Sequence, residues 1–461
     1  MKVFRLKHTR TGSDNGMLPA GTPEELAGPA EVPTRLGERF ATLDALRGFA
    51  LLGILILNIE DFAGPEALFD IPVGGPHPAF TGWHTQLDYM IVTAKWLLAE
   101  GKMRTLFSML FGASVILLTE RIEQRAGPAR ALSIFYRRNL WLLFFGVFHG
   151  FVVFYGDILV DYALLGLLFL YPLRRLGARS LLVLGMVVSI GGGTLGTSTQ
   201  FHILDALQGN APPAAMAALA PKPSQTAPGD AGQQGTPDPA ADAELREGRL
   251  GFFAGWPHRV SQELDFLKVK FGSGWILEWF GAMIVGMGLY KSGFLTNRRP
   301  ARDYVLLAAG GYALSWPIIL AGLWHTERAG FSEAADAIWM QLPYSLEVMA
   351  GTLANTSVVL LFLRKDRVRR LLSPLSAVGR TALSNYILTS VICQVIFAWG
   401  PWALFGRLDF YQWYYVVGGI WVANLSLSVI WLRLFAFGPL EWLWRSLTYW
   451  QRQPMRIRQP G

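Results

Sequence analysis

Ten runs of mostly apolar residues recur along this chain, at 43–59, 103–119, 139–155, 157–173, 179–197, 273–291, 303–324, 341–363, 379–398 and 411–434. Each is near the ~20 residues that a helix needs to cross a bilayer. So many hydrophobic lengths leave the backbone one solution. With no water in the hydrocarbon core, every N–H and C=O must bond within its own segment. The expected fold class is therefore all-α, a polytopic membrane bundle of about ten transmembrane helices plus amphipathic or re-entrant outer helices.

Charge sets the expected orientation. The net charge of +8 could point to nucleic acid in a soluble protein, but here the basic residues cluster in short loops between apolar runs. Such loops stay on the cytoplasmic side. Residues 84–101 decide the count, because they keep helical apolar spacing yet contain Asp88, Lys95 and Glu100. If they spanned, the loop holding Arg121, Arg125, Arg130, Arg137 and Arg138 would lie outside. Placed as an amphipathic or re-entrant outer helix, they let every later basic loop fall inside, with both termini cytoplasmic. The expected location is a bacterial inner membrane.

Four regions follow. Residues 1–40 read as a disordered cytoplasmic tail, since they hold no apolar core with a cleavage site. Residues 41–200 form a first group of five spans with the outer helix, and residues 273–450 a second group of five with an interfacial helix. Between them, 201–272 is an outer linker; its stretch 208–244 is rich in Ala, Pro, Gly, Gln and Asp and has too little apolar bulk to fold. The segment Phe252 to Phe271 after it reads as a surface helix.

Polar residues within spans mark candidate sites, because they are costly unless they face protein or water. Asp44 and Arg47, three apart, share one face at the inner end of the first span, and Asn58 and Glu60 mark its outer end. His149 lies about 15 Å from the inner end of its run by helical rise. Asp157 follows eight residues later in Tyr-Gly-Asp-Ile-Leu, as a carboxylate partner or as the cap of the next helix. Lys102 and Arg104 precede a span containing Ser108, where they can bind an anionic group or balance nearby acids. Glu278 and Glu347 lie within later spans. Arg380, Ser384, Asn385 and Ser390 sit on a span where they can bond to adjacent helices. On the interfacial helix Glu441 and Arg445 are spaced to pair. Cys393 is the single cysteine, so it forms no intramolecular disulfide, and no Cys/His cluster suggests a metal.

The strings Asp-Ala-Leu-Arg-Gly-Phe-Ala-Leu-Leu-Gly-Ile at 44–54, His149 through Tyr-Gly-Asp-Ile-Leu at 155–159, Val-Gly-Arg-Thr-Ala-Leu-Ser-Asn-Tyr-Ile-Leu-Thr-Ser at 378–390 and Phe-Gly-Pro-Leu-Glu-Trp-Leu-Trp-Arg-Ser-Leu-Thr-Tyr at 437–449 resemble the YeiB-like family of bacterial inner-membrane proteins. The resemblance covers nearly all of the chain after residue 40. The first string is also similar to the opening of the wider transmembrane acyltransferase superfamily, whose members with known activity move an acyl group across the membrane from cytoplasmic acyl-CoA. Sugar O-acetyltransferases in that superfamily carry a histidine where this chain has Asn58; His77 and His84 lie in the following outer loop.

Two functions from different classes follow. In the first, an acyltransferase, acyl-CoA is the donor and enters by Asp44 and Arg47. His149, helped by Asp157 or Asn58, activates an outer-side acceptor, a small molecule or a glycan or lipid. Lys102, Ser108, Arg380 and Asn385 are its further binding candidates. In the second, a proton-coupled transporter, His149, Asp157, Glu278 and Glu347 form a relay. Either way the surrounding partner is the lipid bilayer and not a nucleic acid, no metal is expected, and a homodimer is compatible with both.

Overall fold

The computed structural model describes residues 32–65, 82–200, 239–331 and 333–457. His77, most of the expected tail and residues 208–238 of the expected linker lie outside the described residues. Described elements run α1 (Val32–Ala63), α2 (Thr85–Leu98), α3 (Lys102–Phe148), α4 (Leu159–Leu173), α5 (Ala178–Thr199), α6 (Pro239–Gly248), α7 (Trp256–Gly272), α8 (Ile276–Lys291), α9 (Ala301–Arg328), α10 (Tyr344–Leu363), α11 (Ser373–Arg380), α12 (Ala382–Trp399), α13 (Phe410–Leu434) and α14 (Pro439–Tyr449). No strand occurs among the described residues.

Seven helical stretches among the described residues are long and apolar enough to cross a membrane. One of these, Thr85–Val153, joins α2 to α3, and α3 itself breaks at Gly127 (φ 79°) just before Pro128. Proline cannot donate to the helix ladder and its ring disfavours helical geometry before it, so the two apolar runs of α3 meet at that kink. The remaining runs lie on the shorter apolar helices α4 and α8. The all-α, multi-pass membrane architecture is the one the apolar runs imply.

Helix α2 has 14 residues, about 21 Å at the helical rise, too short to cross. Its amphipathicity is inverted. Asp88 and Lys95 face the protein, whereas Leu87, Met90 and Leu98 are exposed. Two expected disordered stretches are partly helical. α1 starts at Val32, inside the expected tail, and α6 takes up the end of the expected linker, where Arg249, just beyond it, donates to the Phe405 carbonyl at 2.9 Å. That contact anchors a segment whose composition alone could not hold it.

Close helix approaches hold the centre together. A Cβ on Gly379 would overlap the Asp44 carbonyl and one on Gly48 the Leu375 carbonyl, so α1 and α11 pack backbone to backbone. The same reciprocity joins α3 to α8, through Gly112 against Met283 and Gly286 against Met109. Small residues permit such contact, and close van der Waals packing is a main attraction between helices already in lipid. In the apolar windows of α10 and α13, 67% and 22% of residues are buried, which puts α10 inside the bundle and α13 at its edge.

Candidate functional site

Beyond Phe148 the helix opens into a π-helical turn, His149–Val153. Such turns displace side chains from the regular register and recur at functional sites. His149 and Asp157 are fully buried, with Nδ1 2.8 Å from the Asp157 Oδ1. The other Asp157 oxygen accepts the Val160 N–H at 2.8 Å, so one side chain both caps α4 and holds the imidazole. An ionised carboxylate only accepts, which assigns the hydrogen to Nδ1 and leaves Nε2 a lone pair. Among the described residues that Nε2 has no hydrogen-bond partner. On another side the Tyr386 ring lies against the imidazole, centroids 4.8 Å apart.

Tyr386 also lines a cavity of about 270 Å³. Its walls are apolar where Phe107, Phe111, Leu142 and Leu159 meet, and four arginines, Arg47, Arg138, Arg380 and Arg445, stand around it. Arg47 pairs with Asp44 at 2.9 Å and donates to the Ser114 hydroxyl at 3.1 Å. Among the described residues, Arg138, Arg380 and Arg445 have no carboxylate within ion-pair distance. Arg138 lies over the Trp444 ring at 3.7 Å, and Arg380 donates to the Ala436 carbonyl at 3.3 Å. From Arg138 to His149 is roughly 16 Å along α3 by helical rise. The cavity, whose lining also includes Glu441, thus combines three arginines without a carboxylate at ion-pair distance among the described residues, apolar walls and a ring that lies against the buried histidine.

The expected Glu441–Arg445 pair does not form. Glu441 instead accepts the Leu383 and Ser384 N–H groups at 2.6 and 3.1 Å and the Ser384 hydroxyl at 2.5 Å. A carboxylate at a helix N-terminus meets unpaired donors and the positive end of the dipole, and that competition outweighs a solvated pair. Burial pushes the Glu441 carboxyl up, against the pull of these bonds.

Other sequence candidates are spent on the bundle. Lys102 is fully buried 2.7 Å from Glu347 and donates to the Trp96 and Glu100 carbonyls at 2.9 and 3.1 Å. An ammonium has three donors, so none is left for a ligand. Ser108 shares a 2.6 Å hydrogen bond with the Tyr162 hydroxyl. Asn385 donates to Thr381 and Ser428 at 2.9 and 2.8 Å, tying α12 to α13. Neither these three nor Asp44 lines the cavity; Arg47 and Arg380 do. Asn58 is half-buried and shares no hydrogen bond with His149 or Asp157 among the described residues. Arg104 pairs with Glu278 at 3.3 Å, and Lys95 with Glu60 at 2.8 Å.

Sequence reasoning missed Arg138 and Arg445 as cavity residues and Asp161, Glu263 and Lys270 as part of the buried cluster. The Lys270 ammonium lies 2.8 Å from the Asp161 Oδ2, both fully buried. The spacing of Glu263 and Lys270, two helical turns on one face, was the available signal.

Residues 289–451 match a family described as a protein of unknown function, DUF418. The chain is 30% identical over 429 residues to the uncharacterized protein YeiB of Escherichia coli (strain K12), covering 89% of this chain and 96% of that one. It is 28% identical over 425 residues to the uncharacterized protein YxaH of Bacillus subtilis (strain 168), covering 92% and 97%. An uncharacterized 39.9 kDa protein in the amylase 3' region of Bacillus acidopullulyticus is 26% identical over 430 residues, covering 93% and 99%. No solved structure matches.

Proposed function

The chain belongs to the YeiB-like family of multi-pass membrane proteins, and from that premise we propose that it transfers an acyl group from cytoplasmic acyl-CoA to an acceptor on the outer side of a bacterial inner membrane. What supports this is the arginine-ringed cavity whose lining residue Tyr386 lies against His149. At about 270 Å³ it falls near the lower bound of small-molecule pockets, roughly 300–1,000 Å³. That suits the slender arm of an acyl thioester, with the phosphates held at the mouth by guanidinium groups. His149 Nε2 then takes the proton of the acceptor hydroxyl as its oxygen attacks the thioester carbonyl. The C–S bond breaks, and the imidazolium, steadied by Asp157, returns that proton to the sulfur.

The test is calorimetric titration of the purified protein with coenzyme A. A hydrogen bond to a charged group contributes about 1.5–3 kcal/mol, so Arg380→Gln with Arg445→Gln is expected to weaken binding at least tenfold, and added salt to weaken it further. Unchanged affinity in the double variant would remove the cavity as the donor site. Proton flux in liposomes without consumption of acyl-CoA would favour proton-coupled transport, a reading supported by the buried carboxylates of Asp161 and Glu263.

The donor side requires the basic loops to be cytoplasmic. An Ala126→Cys variant is expected to resist an impermeant thiol reagent in intact cells and to react after lysis. Labelling of intact cells would invert the orientation and with it the direction of transfer.

A further inference from the structure

The arginine-ringed cavity stops one side chain short of His149. The imidazole is fully buried and does not line the cavity. Among the described residues its hydrogen-bond and ring partners are Asp157, Phe154, with ring centroids 6.3 Å apart, and Tyr386, at 4.8 Å. Of these three, Tyr386 alone lines the cavity. Its ring therefore has the open volume on one side and the histidine on the other.

The other two partners are fixed. Phe154 is stacked on Phe62 at 4.2 Å, and Asp157 accepts the Val160 N–H. Tyr386 is held more loosely. Its hydroxyl is buried beside the Ile158 backbone but completes no hydrogen bond there. Tyr162, also a cavity residue, is instead tied by its hydroxyl to Ser108 at 2.6 Å. A buried hydroxyl without a partner is costly rather than anchoring, so packing alone pins the Tyr386 ring. An aromatic side chain on a helix has two ordinary χ1 wells, at about 180° and −60°.

We propose that Tyr386 is a movable partition between the cavity and His149, closed in this structure, whose ring turns aside when a substrate fills the cavity. The partition stands on the geometry; its chemical use rests on the acyl-transfer reading. An imidazole open to a wet cavity activates water as it does an acceptor hydroxyl. It takes a proton from water as the oxygen attacks the thioester carbonyl, the C–S bond breaks, and the imidazolium returns the proton to the sulfur. The products are a carboxylic acid and free coenzyme A, and the acyl group is lost. Closure that excludes water until the substrate is in place prevents this side reaction.

Thiol labelling of the purified full-length protein tests the partition without turnover. Cys393 is the single native cysteine, so Cys393→Ser with His149→Cys leaves one thiol, in place of the imidazole. With Tyr386 present it should react slowly with an anionic methanethiosulfonate reagent, because access waits on an open state populated at roughly 0.1–10%. Adding Tyr386→Ala should raise the rate about 10–1,000-fold, whereas Tyr386→Phe should leave it unchanged, since the ring and not the hydroxyl closes the way. The route is read from charge. Past the arginines the anionic reagent should gain more than a cationic one of the same size, and Arg380→Gln with Arg445→Gln should remove that difference. If Tyr386→Ala does not fold, Tyr386→Leu makes the same comparison. Equal rates with and without the ring overturn the proposal. So does equal acceleration of both reagents, the sign of a loosened fold rather than an opened partition. In turnover without an acceptor, Tyr386→Ala should hydrolyse acyl-CoA faster than the wild type, and unchanged hydrolysis by an active enzyme overturns the water-excluding role. If labelling behaves as expected while the wild type consumes no acyl-CoA, the acyl-transfer reading fails and the partition stands.

Discussion

Replacing His149 with alanine is expected to lower acyl transfer by roughly 10²–10⁴-fold, the usual contribution of a positioned general base, without unfolding the protein. The chain contains a second histidine–aspartate pair, His84 with Asp88 at 2.6 Å, which makes the contrast informative. His84 stands at the start of α2 beside Tyr411 and Trp83, the latter 82% exposed. His149 lies instead against Tyr386, which lines the arginine cavity. A base is useful only where donor and acceptor meet, so His84→Ala should keep its rate. Consumption of acyl-CoA by purified protein, with a crude envelope extract as acceptor, decides between them. An active His149→Ala protein alongside an inactive His84→Ala protein would move the site to the outer surface.

The spans were legible because their signal is local. An apolar run of bilayer length needs no partner to be recognised, and all ten runs fall on helices. The His149–Asp157 pair was legible for a related reason, since eight residues around a tight turn bring the two together whatever surrounds them. The cavity was not legible. Arg138 read as a loop charge that sets topology and Arg445 as the partner of Glu441 on an interfacial helix, and nothing local distinguishes such charges from ones facing a cavity that several distant helices form together. Arg47 and Arg380 read as binding candidates, without a sign that they share that cavity. Glu263 and Lys270 were hidden because α7 looked like a solvated surface helix. Its polar face turned out to be the buried one, packed against other polar groups rather than water. In α2 the same inversion occurs, with Asp88 and Lys95 inside and Met90 outside, as expected where lipid replaces water as the surrounding solvent.

Lys102 shows what that inversion costs when sequence is read by charge alone, and it carries the largest expected effect on stability. Standing beside Arg104 at a helix start, it looked available to an anionic substrate. Its pairing with Glu347 joins residues far apart in the chain, 0% and 2% exposed at their side chains. Removing one partner of such a pair leaves the other charge buried and uncompensated, at roughly 3–5 kcal/mol, whereas replacing both by apolar groups of similar volume is often neutral or stabilising. Lys102→Met is therefore expected to destabilise the protein by about that amount, and Lys102→Met with Glu347→Leu to recover most of it. Equilibrium unfolding of the purified variants measures both. Coenzyme A affinity of whatever Lys102→Met protein folds should equal that of the wild type, because the cavity does not reach this residue. A Lys102→Met protein as stable as the wild type but unable to bind coenzyme A would return Lys102 to the substrate site and show that the Glu347 pair opens to admit the donor.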